Sequence, residues 1–350
     1  MKEINIAGKK IGLNSPIFLI AEVGVNHNGE VSIAKELVEL AARANFDAIK
    51  FQTFSADNLL LKSTPKVQYQ KFNSDDQENF YDMIKKYELS KKDFKELQIY
   101  SSKYNIIFLS TPFDMISVDL LDQLDVPAYK VGSGDMNNFP LLEKICSKGK
   151  PILLSTGMAT LEEVKNSVGF IKSRNVEEIV IFQCTTNYPA SLKEINLNVI
   201  DTFMHEFPDH LIGFSDHSIG FEASIGAAAK GVKVIEKHIT LDKGMEGPDH
   251  KASLGPEDLE NWTRSIRNLE ESLGSFRKVP SKIELEIAKT VRKSIVTTKD
   301  LIKGDIFSKE NLGVKRPGYG ISPVDYEKLL GKKAKKEISR DSLIYWEDVE

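Results

Sequence analysis

The chain has 350 residues, 41% of them apolar and 28% charged, with 47 basic against 51 acidic side chains. Its length leaves room for about two domains, its composition is that of an ordinary folded protein, and its net charge of −4 leaves no footprint for nucleic acid or a membrane surface. Two cysteines, Cys146 and Cys184, cannot build a disulfide framework, and no apolar run approaches the roughly 18 residues of a membrane span.

The opening stretch, Met1 to Gly8, is too short and polar for a signal peptide, so a cytoplasmic location is expected. From there short β-rich runs alternate with helix-period stretches. Strands are predicted over 17–23, 48–53, 106–111, 128–133, 151–156, 180–185, 211–217 and 234–239. Near-continuous apolar runs of this kind fit parallel strands buried on both faces. Helical stretches lie between them, among them 33–44, 93–104, 161–172 and 221–230, and Thr160 with Glu163 reads as a capping box opening the third. Eight strands with intervening helices predict an α/β fold, a (β/α)8 barrel over residues 1–275. No Gly-x-Gly-x-x-Gly follows the first strand, which speaks against a dinucleotide fold. A connector over 276–293 with one short helix leads to a β-rich domain over 294–350, broken at Lys303-Gly304, Pro317-Gly318 and Ser322-Pro323. So small a domain is expected to need outside support.

The carboxyl ends of barrel strands and the loops after them build the active site. The polar strand residues cluster there: Glu22, Lys50, Gln52, Thr111, Lys130, Ser133, Ser155, Ser215, Asp216, His217 and His238. Any one hydroxyl could simply cap the following helix, but a ring of buried polar groups needs a shared partner. Lysine is rare in an apolar strand. Lys50 and Lys130 could be salt-bridged to Glu22 or Asp135, form a Schiff base, or capture a phosphate or carboxylate. Two lysines beside a run of hydroxyls point to an anionic substrate. His217 and His238 end consecutive strands and suit a divalent cation, Mn2+ or Mg2+, with open positions for water and substrate. His27 is read as a turn residue or a substrate contact, and His205 and His210 as surface residues. In the loop Gly247 to Ser253, Asp249 is placed to hydrogen-bond a polyol, as is Tyr188 after the sixth strand.

These segments, taken in order, resemble the sialic acid synthase family. The resemblance is carried by Ala21-Glu22-Val23-Gly24-Val25-Asn26-His27-Asn28-Gly29, Lys50-Phe51-Gln52-Thr53, Ser110-Thr111-Pro112-Phe113 and Lys130-Val131-Gly132-Ser133-Gly134-Asp135. It continues through Leu154-Ser155-Thr156-Gly157-Met158, Phe214-Ser215-Asp216-His217, Glu236-Lys237-His238-Ile239-Thr240 and Gly247-Pro248-Asp249-His250. The terminal piece, with Val314-Lys315-Arg316-Pro317-Gly318, is similar to that family's antifreeze-like (SAF, β-clip) domain.

The resemblance implies condensation of phosphoenolpyruvate with an N-acetylated mannosamine-type sugar and water, giving a nine-carbon 2-keto acid and phosphate by C–O cleavage. Lys50, Thr111, Lys130, Ser133, Ser155 and Ser215 would then hold phosphoenolpyruvate, with Thr186 where some members place an asparagine on the phosphate. His217 and His238 would hold the cation, acting as a Lewis acid on the sugar aldehyde. Gln52, Asp135, Tyr188 and Asp249 would meet the sugar, with Asp135 where some members have glutamate and Thr290 where some carry an aromatic. Arg316 would enter the barrel of the other subunit in a domain-swapped homodimer, which would also support the small domain. The catalytic set implied is Glu22, Lys50, Lys130 and Asp135, with either carboxylate moving the proton. N-acetylmannosamine is the expected sugar. The same chemistry on its 6-phosphate, on a 2,4-diacetamido-2,4,6-trideoxy sugar (a legionaminic acid precursor) or on a pseudaminic acid precursor is the alternative. A Schiff-base aldolase on Lys50 or Lys130 and a non-catalytic carbohydrate-binding or ice-binding protein are the competitors from other classes.

Overall fold

A computed structural model describes residues 3–67, 70 and 78–350, and the chain divides into two compact units, the first running to Gly274 and the second spanning Ser275–Glu350. The first unit opens with an antiparallel hairpin, β1 (Ile4–Ile6) and β2 (Lys9–Ile11). Eight parallel strands follow: β3 (Phe18–Gly24), β4 (Ala48–Thr53), β5 (Ile107–Pro112), β6 (Tyr129–Val131), β7 (Ile152–Ser155), β8 (Ile179–Cys184), β9 (Leu211–Asp216) and β10 (Val234–His238). They are hydrogen-bonded in the order β5-β4-β3-β10-β9-β8-β7-β6, and β5 lies beside β6, so the sheet is a nearly closed barrel. All eight predicted strands are present. The fourth is shorter than expected because Ser133–Asp135 turns into a 3-10 helix.

Helices Val31–Arg43, Lys91–Lys103, Leu161–Lys172 and Glu222–Ala229 occupy the predicted positions. The Thr160 side chain accepts from the Glu163 N–H while Glu163 reaches back to Thr160, so the capping box is formed. The helices cover the outer faces of the strands, burying Leu37, Phe94, Val118, Leu142, Ile200 and Trp262. Inside the barrel a second apolar layer consists of Ile20, Ala48, Leu109, Ala128, Leu153, Phe182, Leu211 and Val234. Ile4, Ile6 and Ile11 of the hairpin pack onto this layer and stopper the amino-terminal end of the cylinder. Among the described residues the interior opens at the carboxyl ends of the strands. No helix among the described residues is long and apolar enough to cross a membrane.

In the second unit, helix Lys282–Val291 precedes β11 (Ser294–Thr297) and β12 (Leu312–Lys315), an antiparallel pair. This unit closes an apolar cluster of its own, including Ile295, Phe307, Ile321, Leu329, Ile338 and Ile344.

Candidate active site

Side chains two apart on a strand share a face. Two residues beyond the apolar layer inside the barrel, and in β9 two beyond Gly213, each strand presents a new set: Glu22, Lys50, Thr111, Lys130, Ser155, Cys184, Ser215 and Glu236. All eight line one pocket, with about 560 Å³ not filled by atoms. A further two residues on, Gln52, Phe113, Gly132, Thr186, His217 and His238 carry its wall toward the mouth, joined by Ser133 and Tyr188.

The polar groups pair with each other. Lys50 Nζ lies 2.7 Å from Glu22 and 3.5 Å from Glu236, and donates to Thr111 Oγ1 at 3.1 Å. Lys130 Nζ donates to Ser155 Oγ and sits 3.7 Å from Glu236, which accepts from Ser215 Oγ at 3.0 Å. Two ammoniums and two carboxylates thus form one buried quartet. Of the salt-bridge partners expected for the lysines, Glu22 is correct. Asp135 is replaced by Glu236, which sequence reasoning gave no role.

Burial outweighs the attraction of Lys50 and pushes the Glu22 carboxyl up to about 7. At Glu236 burial is overcome by Lys130 and Lys50, which hold that carboxyl below its ordinary value. Lys50 goes the opposite way to a desolvated amine: burial lowers it, but Glu22 and Glu236 win and raise it. Lys130 is lowered by burial despite Glu236.

The backbone of the loop after β7 closes on the pocket. A Cβ at Gly157 would meet Thr186 Oγ1 at 2.1 Å and Ser133 Oγ at 2.8 Å, so only glycine fits. The Gly157 N–H donates to Ser133 Oγ at 3.0 Å, and Ser133 Oγ also meets Cys184 Sγ at 3.2 Å. Thr186 Oγ1 is buried with no hydrogen-bond partner.

His217 and His238 face one another with ring centroids 5.5 Å apart, and Tyr188 packs on both, 4.1 Å from His217. His217 Nδ1 donates to the Thr185 carbonyl at 2.7 Å, which leaves the lone pair on Nε2. His238 Nδ1 is buried with no hydrogen-bond partner, and the nearest carboxylate, Asp249, is 4.0 Å away. Burial pushes His217 down to about 4 and holds His238 well below the usual imidazole value. Two neutral imidazoles, one with an orphaned buried nitrogen, fit a divalent cation. Among the described residues no cluster of three or more His, Cys, Asp or Glu side chains is placed to hold a metal alone, so such a cation would keep positions for water or substrate oxygens.

The other expected residues fall elsewhere. Asp135 is absent from the pocket wall, and its carboxylate accepts from Asn138 at 3.0 Å. Asp249 is buried behind His238, its carboxyl raised to about 7 by burial. Arg316 is exposed in the second unit, and Thr290 lies on the exposed side of helix Lys282–Val291. Asp216 is buried on the outer face of the barrel. His27 is fully buried and accepts the Gly29 N–H at 3.0 Å, a turn residue rather than a substrate contact. His205 is exposed as expected, whereas His210 is buried.

Comparison with known proteins gives two family matches, the NeuB family over residues 37–278 and the SAF domain over residues 292–350. The chain is 44% identical to an N,N'-diacetyllegionaminic acid synthase of Campylobacter jejuni, covering 93% of this chain and 98% of that one. It is 41% identical to a protein of the same name from Legionella pneumophila, covering 98% and 97%. Among solved structures it is similar to an N-acetylneuraminic acid synthetase from Leptospira borgpetersenii, with TM-score 0.72, 32% identity and coverage of 82% and 95%.

Proposed function

The chain belongs to the NeuB family, and we propose that it condenses phosphoenolpyruvate with an N-acetylated aminosugar and water, releasing phosphate and a nine-carbon 2-keto acid. The observation that carries this reading is the quartet of Lys50, Lys130, Glu22 and Glu236 directly beneath His217 and His238 in one pocket. An anion with three charges finds two ammoniums there, with hydroxyls from Thr111, Ser133, Ser155, Thr186 and Ser215 around them. Gln52 and Tyr188 stand nearer the mouth and meet the sugar.

His217 and His238 hold the divalent cation, Mn2+ or Mg2+, which when bound supplies Lewis acidity toward a carbonyl oxygen. The remaining work falls to the chain's own residues. C3 of phosphoenolpyruvate bonds to the aldehyde carbon, and Glu22, still protonated near neutrality, gives its proton to the new hydroxyl. Glu236, held ionised, takes a proton from the water that adds at C2. The C2–O bond to phosphate then breaks as the C2 hydroxyl returns its proton to Glu22, Glu236 passes its proton to the departing phosphate, and Lys50 and Lys130 neutralise that leaving group. Asp135, turned to Asn138, has no step in this scheme, which replaces the sequence-based assignment.

The two relatives at 44% and 41% identity are named for legionaminic acid, against 32% for the N-acetylneuraminic acid synthetase. That favours a 2,4-diacetamido-2,4,6-trideoxy sugar over the N-acetylmannosamine expected from sequence. The apolar side chains of Phe276, Ile283, Leu285, Ile287 and Val291, all exposed in the connector, support a homodimer in which Arg316 serves the mouth of a second copy.

Phosphate release measured with N-acetylmannosamine, its 6-phosphate and the diacetamido sugar tests the reading. The diacetamido sugar is expected to be fastest. No phosphate release with any of the three, with Mn2+ supplied, overturns it.

A further inference from the structure

Asp216 and Lys237 are directly opposed on β9 and β10, yet neither faces the pocket. Alternation turns Ser215, His217, Glu236 and His238 inward and sends residues 216 and 237 outward, toward helix Glu222–Ala229. There they form an ion pair at 2.9 Å, with Asp216 fully buried and Lys237 1% exposed. Lys237 Nζ also donates to the Ser218 carbonyl at 2.7 Å. Asp216 accepts from the Ser218 N–H at 2.9 Å, from Ser218 Oγ at 2.6 Å and from Ser224 Oγ. One charged knot therefore ties together the ends of two strands, the loop after β9 and the start of a helix. His217 and His238 are the next residue along from each member of the pair.

A buried ion pair is weak support for stability, because apolar side chains of similar volume often do as well. Oriented groups differ in fixing where the backbone sits, and outer partners that orient metal-binding side chains govern affinity strongly. We infer that Asp216 and Lys237 are positioning residues that hold the backbones of His217 and His238 so that the two imidazoles converge on a divalent cation. This rests on the metal assignment proposed above.

The test is calorimetric titration of the full chain with Mn2+ alone, beside a melting curve and binding of phosphoenolpyruvate without metal. D216N/K237M removes the ion pair but keeps an acceptor for the serine hydroxyls. The expected result is Mn2+ affinity lower by about ten- to a hundredfold, with phosphoenolpyruvate binding changed by less than about threefold. Unchanged Mn2+ affinity, whether or not the melting temperature falls, overturns the proposal. Should the double variant fail to fold, S224A takes its place: it removes one hydroxyl from Asp216, and a weaker Mn2+ site supports the proposal while wild-type affinity overturns it. The control H217A separates the two levels. If wild type takes up no Mn2+, or H217A binds it as tightly as wild type, the metal assignment itself falls and the positioning role with it.

Discussion

Lys50 Nζ lies 2.7 Å from Glu22 Oε2 inside the barrel, with the two side chains 4% and 2% exposed. Such a contact between fully ionised groups would leave the acid inert, yet burial pulls Glu22 up toward neutrality while Glu236 shares the lysine from 3.5 Å. One carboxylate is thereby kept as a charge and the other as a proton store, which is the division of labour that paired acids need.

Glu22 gives the first prediction. Its carboxyl is raised from 4.5 to about 7, so its proton is lost as pH climbs through neutrality and the rate should fall on that limb. E22Q is expected to lose the limb and to run slower by on the order of 10²–10⁴. The same shift acts on folding. A carboxyl raised in the folded state contributes stability that is complete below its unfolded value and is lost as pH rises through its folded one. Wild type should therefore lose stability relative to E22Q between about pH 4.5 and 7. Rate and melting profiles against pH check both, and an E22Q profile that overlays wild type removes Glu22 from the chemistry.

Glu236 should behave differently, since it lies 3.7 Å from Lys130 and 3.5 Å from Lys50. E236Q takes away a negative charge that competes with the substrate anion, so phosphoenolpyruvate should bind as well or better. Turnover should fall by on the order of 10²–10⁴ if the carboxylate receives a proton from water. Direct binding alongside steady-state kinetics makes the comparison. Weaker phosphoenolpyruvate binding with unchanged kcat would mean that Glu236 serves only to align the lysines.

The eight strands were legible because parallel strands buried on both faces read as unbroken apolar runs, and their count implied closure. The hairpin Ile4–Ile11 was not, since its few apolar residues alternate with Asn5, Lys9 and Lys10 and its partner layer comes from eight distant segments. Glu236 was overlooked although the signal existed. It stands two residues before His238, as Ser215 stands before His217, and strand alternation puts both members of each couple on one face. The same rule sends Asp216 outward. Asp135 lies off the pocket wall because it follows the end of β6, in a 3-10 turn where alternation no longer applies and local bonding to Asn138 decides.

Lys130 separates the proposed chemistry from a Schiff-base aldolase. Burial lowers its ammonium, which would suit an amine nucleophile, but its donation to Ser155 and its place 3.7 Å from Glu236 suit an anion-binding cation. Borohydride added with pyruvate is expected to leave the enzyme unmodified, and EDTA is expected to abolish turnover until Mn2+ is returned. K130M should lose phosphoenolpyruvate binding as well as rate. A reduced adduct on Lys130 by mass spectrometry, with activity resistant to EDTA, would transfer the reading to the aldolase.

The hairpin offers a test in which fold and chemistry come apart. Ile6 is fully buried and packs with Ile4 and Ile11 on the apolar layer that includes Leu109, Leu153 and Val234. The polar ring begins one turn of the alternation beyond that layer, so the stopper and the pocket share a wall but no side chain. I6A deletes buried methyl groups where neighbours on several strands cannot easily collapse, and should cost about 2–5 kcal/mol of stability. At a temperature where the variant is still folded, its kcat and its KM for phosphoenolpyruvate should stay within about twofold of wild type, because Lys50, Lys130, Glu22 and Glu236 are held by strands whose carboxyl ends it does not touch. A denaturation curve and a phosphate-release assay decide the matter. A large loss of kcat in a folded I6A would mean that the stopper sets the spacing of the strands at the far end, and that the barrel transmits packing along its whole length.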